Sequence, residues 1–208
     1  MTNNLIDLLK GQLTSGVVNV LTKQLGGGTT PQQTSGAANN ILDVLLGGIA
    51  RNAASPDGAS ALNNALEKDH DGGILDNLQD ILAGKNVQPQ QERALNGAGI
   101  LKHILGNKQS GIVDAISKSN GLNSNQTASL MMKLAPMLLG VLGQQKRQQG
   151  LDSSGISDLL NGARQQQERQ QQSNSSPLGG MLKNMLDADG DGSIIDDVGG
   201  ILGKFLKK

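Results

Sequence analysis

Three aspartates near the end of the chain alternate with small residues in a pattern typical of calcium-binding loops. Asp187, Asp189 and Asp191 occupy positions 1, 3 and 5 of that pattern. Gly192 follows at position 6, and Ser193 stands at position 7, where the backbone carbonyl is the usual ligand. Ca²⁺ binds six to eight oxygen ligands, and alternate residues of such a loop direct their oxygens towards the ion. The spacing therefore predicts a calcium site in the C-terminal segment.

The end of this loop departs from the EF-hand pattern. Position 12, where a Glu normally supplies two oxygens, is Val198. A carboxylate of Asp196 or Asp197 would have to close the site, which predicts weak binding, with a Kd on the order of 10⁻⁵ to 10⁻³ M. The alternative is an Asp/Gly turn in which Asp191 or Ser193 caps the following helix. Three alternating carboxylates exceed what a cap needs, so we favour the calcium interpretation.

A related pattern occurs in the first half of the chain. Glu67, Asp69 and Asp71 stand at positions 1, 3 and 5 and are followed by a glycine, but Lys68 and His70 lie between them. Calcium loops often occur in pairs, so a second metal site is one interpretation. The other is a capped turn between two helices. The basic residues favour the capped turn.

Apolar residues at helical spacing flank the C-terminal loop and predict a helix-loop-helix. They are Leu178, Met181, Leu182, Met185 and Leu186 before the loop, and Ile194, Ile195, Val198, Ile201, Leu202, Phe205 and Leu206 after it. The same stripes are typical of core-facing helices, so they predict the architecture and not the ion. Residues 201–208 also carry three lysines, a composition typical of short helices on membrane surfaces. We favour packing on protein, since lysines also interact favourably with a helix C-terminus.

Composition excludes several functional classes. The 208 residues include 18 Lys and Arg and 18 Asp and Glu, so no net charge attracts the chain to nucleic acid. With one Phe and no Trp or Tyr, the chain also lacks the aromatic side chains on which bases stack. The absence of Cys excludes disulfides and thiolate metal sites. The 29 glycines predict short helices with frequent ends.

The first residues do not resemble a secretory signal, because no basic region precedes the first apolar run and Asp7 interrupts it. We therefore expect a cytoplasmic protein, with export by another route left open. The longest apolar segment, residues 130–142, contains Lys133 and Pro136 and is too short to span a bilayer.

Apolar spacings of three and four residues throughout the chain predict an all-α fold without strands. The two halves are similar: residues 17–23 match residues 112–118, Gln33-Thr34 match Gln126-Thr127, and residues 45–47 match residues 138–140. We therefore predict a multihelical bundle of two similar halves over residues 1–163. A Gln- and Ser-rich stretch, residues 164–176, is predicted to be a linker or a solvated helix. Residues 177–208 form the predicted helix-loop-helix tail.

Several element boundaries can be predicted from the residues themselves. Thr30 and Pro31 are a helix N-cap and a first helical residue, and Ser55 begins another helix. Residues 41–49 are apolar on nearly all sides, which predicts a buried helix. The apolar residues between Ile74 and Leu82 predict one further helix.

An ordered series of short motifs gives the chain a family resemblance. The motifs are LLKGQL at residues 8–13, GGIARNA and SPDGA at 47–53 and 55–59, ALEKDHDG at 65–72, GAGIL and HILG at 97–101 and 103–106, and QQKRQQGLD at 144–152. Together they resemble the YidB-like proteins, a bacterial family of unknown function, over about residues 5–160. The resemblance implies a small multihelical bundle, with the Asp-rich tail as an extension that only some relatives share. It implies no activity and no catalytic residues.

No combination of residues predicts an active site. His70 and His103 lack the spacing of a zinc pair, so we expect surface or hydrogen-bonded side chains. Gly97 and Gly99 lack the preceding strand and third glycine of a dinucleotide loop, which favours a packing role. We therefore predict a non-enzymatic binding or structural module whose partner is another protein or a second copy, with calcium as the expected cofactor. Attachment to a membrane surface is the alternative, and neither nucleic acid nor a small-molecule substrate is indicated.

Overall fold

The chain folds into helices whose ends follow the capping residues of the sequence. The computed structural model describes residues 5–85 and 94–173. The α-helices are α1 (Leu5–Gln12), α2 (Ser15–Leu25), α3 (Pro31–Asn52), α4 (Pro56–Lys68), α5 (Leu78–Leu82), α6 (Gly97–Leu105), α7 (Gln109–Asn120), α8 (Ser124–Gln149) and α9 (Ser153–Ser173). Short 3₁₀ helices cover Gly73–Asn77 and Gly106–Lys108. No strand occurs within the described ranges, and the all-α prediction is confirmed.

Reciprocal capping bonds fix the start of the two longest helices. At α3 the Thr30 side chain accepts a bond from the Gln33 N–H (3.2 Å), and the Gln33 side chain accepts one from the Thr30 N–H (3.0 Å). Asn123 and Gln126 repeat this arrangement at α8, at 2.9 and 3.0 Å. Each box satisfies two backbone donors that the first helical turn leaves without partners. The predicted N-cap at Thr30 and the first helical residue Pro31 are confirmed.

The core lies between α3 and α8, which also contact the shorter helices α6 and α7. The predicted buried helix is confirmed, because Ile41, Leu45 and Leu46 are at most 1% exposed. On α8, Leu134 and Leu138 are fully buried. Burial of one such side chain contributes about 1.5–3 kcal/mol to folding. The long helices α3 and α8 therefore form the framework on which the remaining elements are placed.

The same buried hydroxyl pair occurs in both halves. Thr22 Oγ1 lies 2.8 Å from Thr34 Oγ1 and joins α2 to α3. Ser117 Oγ lies 2.8 Å from Thr127 Oγ1 and joins α7 to α8. These residues stand at matching positions of the sequence similarity between the halves, so corresponding residues make corresponding contacts.

Two glutamine side chains link the halves to each other. Gln33 of the first capping box donates to the carbonyl of Gly121, at the end of α7 (3.1 Å). Gln126 of the second box donates to the carbonyl of Gly26, at the end of α2 (3.2 Å). Both glycines have positive φ, 66° and 60°, a conformation that ends a helix and suits glycine. Each half therefore donates an equivalent hydrogen bond to the end of a helix in the other half.

Two segments differ from the simplest sequence interpretation. The predicted helix from Ile74 to Leu82 is a 3₁₀ helix followed by the five-residue α5, with the break at Asn77. Helix α9 continues to Ser173, so the first part of the predicted linker is helical. The chain divides into two compact units, and the boundary lies between Gln167 and Glu168. The predicted boundaries at residues 163 and 176 remain predictions.

Candidate functional site

The predicted calcium ligands lie outside the described residues. They are Asp187, Asp189, Asp191, Ser193, Asp196 and Asp197. The related pattern in the first half is described, and it forms the turn between α4 and the 3₁₀ helix. We call residues 67–73 the acidic turn.

The acidic turn is shaped by one glycine and one aspartate. Gly72 has a φ of 98°, and a Cβ at this position would lie 2.9 Å from the Cβ of Gln144 on α8. Asp71 Oδ1 accepts a hydrogen bond from the Gly73 N–H (2.9 Å), which closes the turn on itself. The residues that match positions 5 and 6 of the calcium pattern therefore build a tight turn against α8.

The backbone of the turn approaches α8 at two further glycines. The His70 carbonyl lies where a Cβ of Gly143 would be, and Ile74 lies 3.3 Å from the Cβ position of Gly140. Larger residues at these positions would separate the turn from the helix. The glycines of α8 therefore permit close packing of the acidic turn.

Both outer carboxylates of the turn pair with cations of α8. Glu67 Oε1 lies 2.8 Å from Lys146 Nζ, and Asp71 Oδ2 lies 3.1 Å from Arg147. The hydrogen bond and charge of Lys146 lower the pKa of the Glu67 carboxyl, with a smaller contribution from Asn63. The Glu67 and Asp71 side chains are 51% and 56% exposed, so each pair contributes little to stability. The two pairs place both outer carboxylates against α8.

His70 is the one titratable side chain of the turn that is buried. It is 5% exposed, and its Nδ1 has no hydrogen-bond partner among the described residues. Burial lowers the pKa of this imidazole, and the negative charge of Asp69 opposes that shift. The expectation of a surface or hydrogen-bonded histidine is therefore wrong for His70. His103, on α6, is exposed.

The geometry of the acidic turn favours a turn that packs on α8 over a second metal site. Its carboxylates at positions 1 and 5 already face Lys146 and Arg147, which a metal would have to displace. Within the described ranges, no group of three or more His, Asp or Glu side chains is arranged to hold a metal ion. Sequence reasoning missed both cations, because they lie in the last turns of the long helix α8 and only the fold brings them to the turn.

A separate pocket with a volume of about 350 Å³ lies between the α1–α2 corner and the 3₁₀ helix. Its polar lining comprises Gln12, Thr14, Asp76, Asn77, Gln79 and Asp80. The Thr14 hydroxyl already accepts a bond from the Val17 N–H (3.3 Å) as the cap of α2. This pocket can accept hydrogen bonds but contains no lysine, histidine or cysteine among its lining residues.

None of the described helices is long and apolar enough to cross a membrane.

Comparison with known proteins places the chain in a family. Residues 7–145 match the family model described as "Bacterial protein of unknown function (DUF937)". The match includes the acidic turn and ends just before Lys146 and Arg147. Comparisons with curated proteins and with solved structures find no match. Because the family model covers more than half of the chain, this protein belongs to the DUF937 family of bacterial proteins of unknown function.

Proposed function

We propose that this protein is a non-enzymatic helical binding or structural module that carries one weak calcium site in its C-terminal segment. In this account Asp187, Asp189, Asp191 and the Ser193 carbonyl bind Ca²⁺. A carboxylate of Asp196 or Asp197 completes the ligand set. Calcium then orders the helix-loop-helix, which presents its apolar stripe to a protein partner or a second copy. We also propose that the chain is YidB-like within its family, on the motifs given above.

One observation on the acidic turn supports this proposal. In the acidic turn the carboxylates at positions 1 and 5 are each neutralised by a cation of α8. The C-terminal copy has Ala188 and Gly190 in place of Lys68 and His70, so no basic residue lies inside its loop. Three clustered carboxylates without an internal cation repel one another and attract an external one. The C-terminal copy is therefore the better calcium site of the two.

Calorimetric titration of Ca²⁺ into the full chain tests the proposal. We expect heat from one site with a Kd on the order of 10⁻⁵ to 10⁻³ M. The Asp187→Ala/Asp191→Ala variant should give no such heat. The matched control is Glu67→Ala/Asp71→Ala, which removes the same positions from the first copy and should bind as the wild type does. Equal heat from Mg²⁺ at the same concentration would indicate charge screening and contradict a calcium site.

A second candidate function is attachment to a membrane surface through residues 201–208. The three lysines of this segment, together with Phe205 and the neighbouring aliphatic residues, support it. Co-sedimentation with anionic liposomes tests it with the wild type and a chain truncated at Ser176. Sedimentation of the wild type alone would support membrane attachment. Equal behaviour of the two chains would refute it.

A further inference from the structure

One buried histidine lies in the acidic turn, next to a small apolar cluster. The acidic turn leads into a small apolar cluster formed by Ile74, Ile81 and Ala94, with Leu75 and Leu95 packed against it. We call these five residues the satellite cluster. It comprises few side chains, and elements with few buried apolar contacts are the first to open in a native protein. Ile74 of this cluster packs on α8 at Gly140, directly after the acidic turn, and α5, which carries Ile81, also contacts α2.

His70 is the part of the turn that is least tolerant of charge. The imidazole is buried and its Nδ1 has no partner in the part of the chain that the structure describes, while the His70 backbone carbonyl packs on Gly143. A proton on Nδ1 would create a buried cation with an unsatisfied N–H, which is strongly unfavourable in a protein interior. The closed turn therefore requires the neutral imidazole.

We propose that the acidic turn is an acid-released latch: protonation of His70 separates the turn and the satellite cluster from α8. The structural basis is the combination of a buried nitrogen without a partner among the described residues, a close backbone contact at Gly143, and a small apolar cluster that follows the turn.

The neighbouring charges do not remove this pH dependence. The charged residues of the turn are Glu67, Lys68, Asp69 and Asp71, and the adjoining helices add Asp57 on α4, Asp76 on the 3₁₀ helix, and Lys133, Lys146 and Arg147 on α8. Glu67 and Asp71 are engaged by Lys146 and Arg147. The attraction of Asp69 for a protonated His70 is smaller than the effect of burial on its pKa. The hydrogen bond and charge of Lys146 lower the pKa of the Glu67 carboxyl, so this group stays ionised at pH 5 and its ion pair persists while His70 titrates.

The size of the effect follows from proton linkage. In the open state His70 has the ordinary histidine pKa of about 6.5, so at pH 5 the protonated form exceeds the neutral one by about 30-fold. If the closed turn accepts no proton, opening becomes up to about 30-fold more favourable between pH 8 and pH 5.

Hydrogen–deuterium exchange of the full chain between pH 8 and pH 5 tests the latch, after correction for the intrinsic pH dependence of exchange. Peptides that cover residues 67–82 should lose protection by about 10- to 30-fold at pH 5, whereas those from α3 should not. His70→Gln should remove this pH dependence, and His103→Gln, at the exposed histidine, should retain it. Equal loss in the His70→Gln variant, or no loss in the wild type, would overturn the proposal.

A measurement on the wild type gives an answer even if His70→Gln does not fold. The chain has two histidines, and the His103→Gln variant assigns their Cε1–H resonances in a carbon–proton correlation spectrum. The His70 resonance should keep its neutral shift well below pH 6.5 in the closed state, and the open state should appear as a second resonance. A His70 resonance that titrates smoothly with the pKa of an exposed histidine would overturn the latch.

Discussion

One substitution, glycine to alanine, should change stability in opposite directions at two helical positions. Gly143 lies in α8 where the His70 carbonyl occupies the space of a Cβ. Gly162 lies in α9 and is exposed. A Cβ added at Gly162 would have no described atom within 4 Å apart from the neighbouring backbone of its own helix. Both sites gain helix propensity from alanine, about 0.5–1 kcal/mol. Only Gly143 acquires a steric conflict.

The conflict at Gly143 determines the sign of the effect. Overpacking of a tight interior contact costs about 1–3 kcal/mol, which exceeds the propensity gain. Gly143→Ala should therefore lower the free energy of unfolding by about 1–2 kcal/mol, and Gly162→Ala should raise it by about 0.5–1 kcal/mol. For a domain of this size these changes correspond to a Tm lower by about 2–8 °C and higher by about 1–4 °C.

Thermal unfolding followed by circular dichroism at 222 nm measures both changes. The chain has no Trp or Tyr, so intrinsic fluorescence offers little information, whereas helical dichroism reports the whole fold. A Gly143→Ala protein as stable as the wild type would refute the close packing of the acidic turn on α8. Equal shifts in the two variants would refute the assignment of the effect to the His70 contact.

Three further predictions concern polar groups. Ser117→Ala leaves the buried Thr127 hydroxyl without its side-chain partner and should lower the free energy of unfolding in urea by about 1–3 kcal/mol; an unchanged value would show that the pair is not closed. Gln33→Ala and Gln126→Ala should each lower it by about 0.5–1.5 kcal/mol, and no loss in either would contradict the reciprocal link between the halves. Because burial lowers the folded-state pKa of His70, its contribution to stability is complete above about pH 6.5 and declines as pH falls below it. Urea unfolding at pH 7.5 and 5.5 should show this loss in the wild type and not in His70→Gln, and an equal loss in both would refute it.

Local sequence patterns predicted most of the helices, because their causes are local. Thr30 and Pro31 define the start of α3 through their own hydrogen bonding and backbone angle, and a continuous apolar surface requires burial wherever the helix lies. The internal similarity of the sequence also placed Thr34 and Thr127 at matching positions, and the structure gives each a hydroxyl partner. Such features depend on neighbouring residues, so one sequence contains enough information to find them.

The acidic turn could be predicted only in part, because tertiary contacts determine its details. The apolar spacing from Ile74 to Leu82 fits one helix. However, the Asp71 carboxylate accepts a hydrogen bond from the Gly73 N–H and Gly72 adopts positive φ, and the segment begins as a 3₁₀ helix. The His70 carbonyl packs on Gly143 of α8, which is distant in the sequence. No local pattern indicates such a contact.

The central claim is that the C-terminal loop, and not the acidic turn, binds calcium. Calorimetric titration of Ca²⁺ into the wild type, Asp187→Ala/Asp191→Ala and Glu67→Ala/Asp71→Ala tests it most directly. The account predicts heat from one site in the wild type and in the Glu67→Ala/Asp71→Ala variant, and none in Asp187→Ala/Asp191→Ala. The absence of heat from the wild type at millimolar Ca²⁺, or its loss in Glu67→Ala/Asp71→Ala alone, would contradict the claim.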